Sequence, residues 1–318
     1  MKAIFLFPGQ GAQYPGMGLD LIELSPEAKK IFDTASNILN RDIIDLIKNS
    51  DPDTLKRTDI SQIAISAVSL ASAACLKERG IFPAACAGFS LGEYPALYCA
   101  GVIGMDDCFR LTGSRGKIMQ AAIDHLQAGS GGSKVPGMAA VIGLAPAQVE
   151  TLIAQWKSDG LTDLYAANIN SPKQVVVSGS TAALEEAEKR FKEAGAKRVF
   201  RLAVAGPFHS PFMKEAAEVF ASALHKVQFN DPFIPLFSNV TGNQIKSGAE
   251  AKTLALRQIV EAIRWTDEEA AIAGLEPELM LEVGPGKVLQ GLWRDTGSKV
   301  PCFSAGTAKE INELQLKQ

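Results

Sequence analysis

No C-x-x-C pair occurs anywhere in this chain, and its five cysteines (Cys75, Cys86, Cys99, Cys108 and Cys302) are odd in number. That pattern poorly serves a disulfide framework or a zinc site and fits buried thiols in a reducing compartment. An excess of basic charge is missing too: 32 Lys and Arg stand against 35 Asp and Glu, for a formal net charge of −3. Such a balance provides no general field to hold nucleic acid. Long apolar runs are lacking, and no stretch approaches the ~18 residues expected of a membrane span. The opening MKAIFLFPGQG breaks at Pro8 and Gly9, before the apolar core and cleavage site of a signal peptide could form. These absences predict a cytoplasmic protein that binds neither nucleic acid nor membrane.

What remains is ordinary globular composition, 47% hydrophobic and 21% charged over 318 residues, a length suited to about two domains. Ala3–Phe7 is a short apolar run ended by Pro-Gly, which reads as a buried strand feeding a loop. Helical periodicity covers Pro26–Leu39 and Ser61–Arg79. Ala84–Phe89 reads as a second strand, followed by helices over Leu91–Cys99, with Pro95 in the first turns, and Asp106–Ala122. Gln127–Lys134 (QAGSGGSK) has the composition of a flexible link. Beyond it come strand MAAVIGL, helix Pro146–Trp156, strands YAANIN and QVVVSG, helix Thr181–Ala194 and strand Lys197–Leu202. This β-α-β-β-α-β order over Met138–Leu202 predicts a ferredoxin-like unit. Helices are expected at Pro211–Val227 and Lys252–Ile263, and a strand at Leu279–Val283. The predicted fold is therefore α/β, with a large domain of mostly parallel sheet (1–134 and 204–318) and an inserted ferredoxin-like subdomain (135–203).

Gly88-Phe89-Ser90-Leu91-Gly92 lies between a strand-like and a helix-like run, the context of a nucleophile elbow. Its two glycines permit a tight turn that lifts the Ser90 hydroxyl off the sheet and leaves the Leu91 amide free at a helix start, where an oxyanion would be stabilised. The alternative is a plain Gly-Ser turn. A serine nucleophile needs a base, and the chain has three histidines. His125 sits beside the Gly/Ser link and His225 in a helical pattern. His209 stands in a turn-rich loop, AGPFHSPFM, after a predicted strand, and is the favoured base. No acid near it presents itself as a third triad member. Phe7-Pro8-Gly9-Gln10-Gly11 begins like a dinucleotide fingerprint, but Tyr14 occupies the place of the third glycine, so nicotinamide binding is rejected. Arg115 alone reads as a helix-surface residue.

Eight segments occur in register: FPGQGAQ, GFSLGEYPAL, GSRGKIMQ, INSPKQVVVSG, GPFHSPFM, SNVTG, RWT and EVGPGKVL. Together, from about Lys2 to Ala305, they resemble the malonyl-CoA:acyl-carrier-protein transacylase family, including the acyltransferase domains of fatty-acid and polyketide synthases. The resemblance implies a hydrolase-like large domain and transfer of a malonyl group from malonyl-CoA to the phosphopantetheine thiol of acyl carrier protein. It implies Ser90 as nucleophile, His209 as base, an oxyanion hole from the amides of Gln10 and Leu91, and Arg115 binding the malonyl carboxylate, for which a bidentate guanidinium is suited. The imidazole would be oriented by a backbone carbonyl at about Gln258 in place of an Asp. No metal or redox cofactor is implied, and a monomer is expected. Carrier proteins are acidic as a class, so Lys189, Arg190, Lys192, Lys197, Arg198, Lys287 and Arg294 are docking candidates.

The sequence departs from the family pattern in three places. Phe89 replaces the usual His before the nucleophile, EAIRW lacks the usual Pro before Arg-Trp, and the 127–134 link is longer than is typical. Phe208 fits malonyl units, since a ring there would crowd a branched α-carbon. Two other readings of the constellation are an acyl hydrolase for carrier-bound chains, against which Arg115 argues, and an inactive carrier-binding scaffold, against which the Ser90–His209 pair argues. A general esterase is disfavoured by the absence of an H-G-G-G-type oxyanion loop.

Overall fold

A computed structural model describes residues 1–129, 135–202 and 206–314. Its strands in chain order are β1 (Ala3–Phe7), β2 (Pro83–Gly88), β3 (Gly137–Ile142), β4 (Leu164–Ser171), β5 (Gln174–Gly179), β6 (Arg198–Arg201), β7 (Leu279–Glu282) and β8 (Cys302–Ser304). They form two four-stranded sheets.

The first sheet has the order β2-β1-β7-β8, and each of its pairings is parallel. Every residue of β1 is buried, as expected where helices cover both faces. Alternation along the strand divides the chain's interior in two. Phe5 and Phe7 enter a core with Ile65, Val68 and Leu91, whereas Ile4 and Leu6 pack with Trp265, Leu289 and Trp293. Helix Pro26–Leu39 shows why such elements form where they do. Ser25 accepts a hydrogen bond from the Ala28 amide, Pro26 occupies the first turn, and Ala28, Ile31, Phe32 and Ala35 form one buried stripe. Asn40 ends the helix in the left-handed region at φ +49°.

Helix Thr58–Glu78 is long and apolar enough by composition to cross a membrane, contrary to the expectation that no stretch comes near it. In the fold it is a core helix, with 89% of its apolar window buried.

The second sheet has the order β4-β5-β3-β6 and is antiparallel throughout. Helices Pro146–Ser158 and Thr181–Glu193 cover one face, burying Val149, Trp156, Leu184 and Phe191 against Val141, Val175 and Val177. Residues one register away, Met138, Ala140 and Val176, join the core of the first unit. Edge strand β4 is not left open. The Ile169 amide donates to the Ile263 carbonyl at 2.7 Å, and the Ile263 amide to Ala167 at 2.8 Å.

Several boundaries differ from expectation. The helix expected at Asp106–Ala122 runs over Met105–Gly129, taking in the first residues of the expected link; residues 130–134 lie outside the described residues. The expected domain boundaries also fall at undescribed residues, 130–134 and 203–205. The helix expected at Lys252–Ile263 is Gly248–Arg257, capped by Ser247, because the chain after it serves long-range contacts at Gln258 and Ile263. Pro211–Val227 divides into a 3-10 turn, Pro211–Met213, and helix Lys214–His225.

Candidate active site

β2 ends at Gly88, a 3-10 turn spans Ser90–Gly92, and helix Glu93–Cys99 follows. Both glycines are sterically required. A Cβ on Gly88 would run into the Gly92 carbonyl, and one on Gly92 into the Phe7 carbonyl. Ser90 sits at φ +51°, a conformation that costs a side-chain-bearing residue about 1–3 kcal/mol and holds its hydroxyl up from the turn. The ring of Phe89 turns instead to an edge-to-face contact with Trp265, at 5.4 Å between centroids.

His209 also lies in the left-handed region, at φ +53°, and is buried. Its Nε2 is 2.8 Å from Ser90 Oγ, and its Nδ1 is 2.7 Å from the carbonyl of Gln258. A carbonyl can only accept, so Nδ1 carries the proton and Nε2 is left to accept from the serine hydroxyl. Burial, with a further push from the Arg115 cation, takes His209 down to about 3, so the imidazole is neutral near pH 7. The loop is fixed by Ser178 of β5, which donates to the Phe208 carbonyl at 2.6 Å, and by Ser210, which donates to Pro207 at 2.6 Å. His125 and His225 are exposed, and His125 lies 3.5 Å from Glu215.

Arg115 is 1% exposed, so the reading as a helix-surface residue fails; only the family pattern pointed inward. Its Nη2 donates to Ser90 Oγ at 3.3 Å and to Gln258 Oε1 at 3.0 Å, while its buried Nε has no partner. It opens on a cavity of about 210 Å³ lined also by Gln10, Phe89, Ser90, Phe208 and His209, with Met138, Asn168 and Asn170 contributed by the second sheet. Asn170 Oδ1 is buried there without a partner. Leu91 lies within the 3-10 turn directly after Ser90, and Gln10 lies on the glycine turn after β1 and lines the same cavity. The glycine turn carrying Gln10 approaches closely, since a Cβ on Gly9 would lie 2.6 Å from the Phe89 carbonyl oxygen.

Asn239, within the SNVTG segment, has a place that sequence reasoning did not assign. Its Oδ1 accepts from the Ser90 amide at 2.7 Å and its Nδ2 donates to the Gly88 carbonyl at 2.7 Å, so it grips the turn at Ser90 and at the end of β2. Nδ2 also donates to Glu268 at 2.7 Å, and the Asn239 amide donates to Glu93 at 2.7 Å. The Gln258 side chain completes the network, donating to the Ser90 carbonyl at 2.9 Å and to Glu93 Oε2. Burial pushes Glu93 up to about 8 and Glu268 well above the usual carboxylate range.

Several docking candidates are already paired on the surface. Lys189 and Arg190 meet Glu186, Lys192 meets Glu188, and Lys287 meets Glu310 at 3.0 Å.

Residues 4–315 match the family described as acyl transferase domain. The chain belongs to that family. A relative from Haemophilus influenzae, named malonyl CoA-acyl carrier protein transacylase, is 37% identical, with 99% of this chain and 98% of the relative aligned. The solved structure of an acyl carrier protein S-malonyltransferase from Vibrio cholerae superposes with a TM-score of 0.90 at 34% identity, covering 99% of this chain and all of the other. A malonyl-transacylase solved in complex with a type II polyketide-synthase acyl carrier protein gives 0.89 at 32% identity, covering 98% of each chain. In this member of the family the residue before Ser90 is the Phe89 that packs on Trp265, and the His209 imidazole is met by the Gln258 carbonyl.

Proposed function

We propose that the chain moves a malonyl group from malonyl-CoA to the phosphopantetheine thiol of an acyl carrier protein, supplying extender units for fatty-acid or polyketide synthesis. The observation that carries this reading is Ser90 Oγ held between a neutral imidazole and a buried guanidinium at the floor of one cavity. His209 Nε2 takes the Ser90 proton as Oγ attacks the thioester carbonyl. The amides of Gln10 and Leu91 hold the oxyanion, and the C–S bond breaks to leave CoA, which receives the proton from His209. The carrier thiol then gives its proton to Nε2, its sulfur attacks the Ser90 ester, and Ser90 recovers its proton as it departs. Arg115 holds the far carboxylate through both halves, its guanidinium offering the buried Nε that has no partner among the described residues. The five free thiols support a reducing compartment for this chemistry.

The test is intact-mass analysis after incubation with malonyl-CoA. An ester on Ser90 that survives in buffer and discharges onto holo carrier protein is the expected result. Ser90→Ala should abolish it, and His209→Ala should slow its formation by roughly 10³–10⁶, with the double variant little worse than either alone. Discharge to water at the same rate with and without carrier would make the chain a hydrolase.

A further inference from the structure

Arg115 is a buried cation to which no carboxylate among the described residues is hydrogen-bonded. The nearest anion in its network is reached through one amide: Arg115 Nη2 donates to Gln258 Oε1, and Gln258 Nε2 donates to Glu93 Oε2. Resting on the proposed malonyl transfer, we propose that Glu93 is a specificity-determining counter-ion, competing with the substrate carboxylate for the field of Arg115, so that malonyl binding draws a proton from solvent onto Glu93.

The surroundings of Glu93 leave it little other means of balancing charge. From helix Met105–Gly129 it faces Arg115, the one cation among the groups that act on it. From helix Trp265–Ala273 it faces Glu268, a second buried acid joined to it through Asn239. On its own helix lies Tyr94, a buried phenol that also faces Arg115, and burial pushes its hydroxyl well above the usual phenol range. Helix Gly248–Arg257 presents only Ala251, Leu254 and Ala255 around a small apolar cavity beside the carboxyl group. One guanidinium therefore serves Glu93 in the free protein. A malonyl carboxylate at the Arg115 fork brings a second negative charge into the same water-poor space, where two anions and one cation cannot be held at low cost. Protonating Glu93 removes the excess. That burial already holds Glu93 near 8 means the proton is acquired within an accessible pH range.

The experiment uses Ser90→Ala protein, which binds thioesters without reacting, titrated calorimetrically in buffers of differing ionisation enthalpy. Malonyl-CoA should bind with no proton uptake near pH 6 and with uptake rising through pH 8 towards one proton per site. Acetyl-CoA carries the same phosphates and should show no such rise. The affinity ratio of malonyl- to acetyl-CoA should accordingly fall about tenfold between pH 7 and pH 9.5. Adding Glu93→Gln should abolish the uptake and flatten the ratio. Equal proton traffic with both thioesters, or uptake that persists in the Glu93→Gln protein, overturns the proposal, and the comparison of thioesters stands even if that variant does not fold. Failure of the underlying reading looks different. Malonyl- and acetyl-CoA would then bind equally at every pH, and Arg115→Ala would change neither affinity.

Discussion

Ser90 and His209 are both held at positive φ, in a conformation that side-chain-bearing residues avoid, and they face each other across 2.8 Å. The strain at each is offset by bonds that only this arrangement makes: Asn239 and Gln258 at the serine, Ser178 and the Gln258 carbonyl at the histidine. Under the proposed function, Arg115 is what would turn the pair from a general acyl-transfer centre into one selective for an acid. If its fork forms two charge-assisted bonds, each worth ~1.5–3 kcal/mol, Arg115→Ala should lower malonyl kcat/KM roughly 10²–10⁴-fold. Acetyl transfer has no carboxylate to lose and should change little or rise. The malonyl-to-acetyl ratio before and after substitution measures this, and an equal fall in both would reduce Arg115 to a packing residue. Sequence made Ser90 and His209 legible because each stands in a local signature. Glu93, Asn239 and Ser178 were not legible as site residues, because their partners lie 146, 149 and 30 positions away and a lone Glu, Asn or Ser carries no mark of such a bond.

Elements were legible to the extent that local rules decide them. Pro26–Leu39 has its cap, its proline and its stripe within the segment and is found at the boundaries expected. The helix after Ser247 stops at Arg257, six residues before its expected end, because the carbonyl of Gln258 is committed to His209 and the backbone of Ile263 to β4. Neither commitment can be read from periodicity. β8, three residues long with Phe303 exposed, offers too few alternations to register as a strand. Helix Thr58–Glu78 contains buried Ser61, whose hydroxyl has no hydrogen-bond partner among the described residues. Ser61→Ala removes that stranded group and improves helix propensity, so it should stabilise the protein by up to about 1 kcal/mol, read as a rise in the denaturant midpoint at unchanged m. A loss of stability would mean that the hydroxyl is paired in solution.

For the whole molecule, buried acids dominate the response to pH. Burial raises Glu93 and Glu269 to about 8 and lifts Glu268 and Glu282 as well, so between the ordinary carboxylate range and pH 8 the folded chain binds more protons than the unfolded one. Stability from these groups is present in acid and is lost as pH rises towards 8. His209 acts in the opposite sense. Its folded value near 3 means that the unfolded chain binds the extra proton between 3 and 6.5, so stability falls as pH drops through that window. Four carboxyl groups against one imidazole should give a higher Tm at pH 5.5 than at pH 8.5. A Tm that rises steadily over that interval would contradict the buried, protonated state of the acids.

The two bonds that tie Ile263 to β4, one from the Ile169 amide and one to the Ala167 carbonyl, have a mechanical meaning. The chain enters and leaves the second sheet at neighbouring strands, β3 and β6, which pair with each other, while β4, the strand tied to Ile263, is the opposite margin of that sheet. β4 is thus moored on both of its sides, to β5 within the sheet and to Ile263 outside it. Amide hydrogen exchange at Ile169 and Ile263 should accordingly be as slow as in β1, whereas exchange in seconds would mean that one mooring slips.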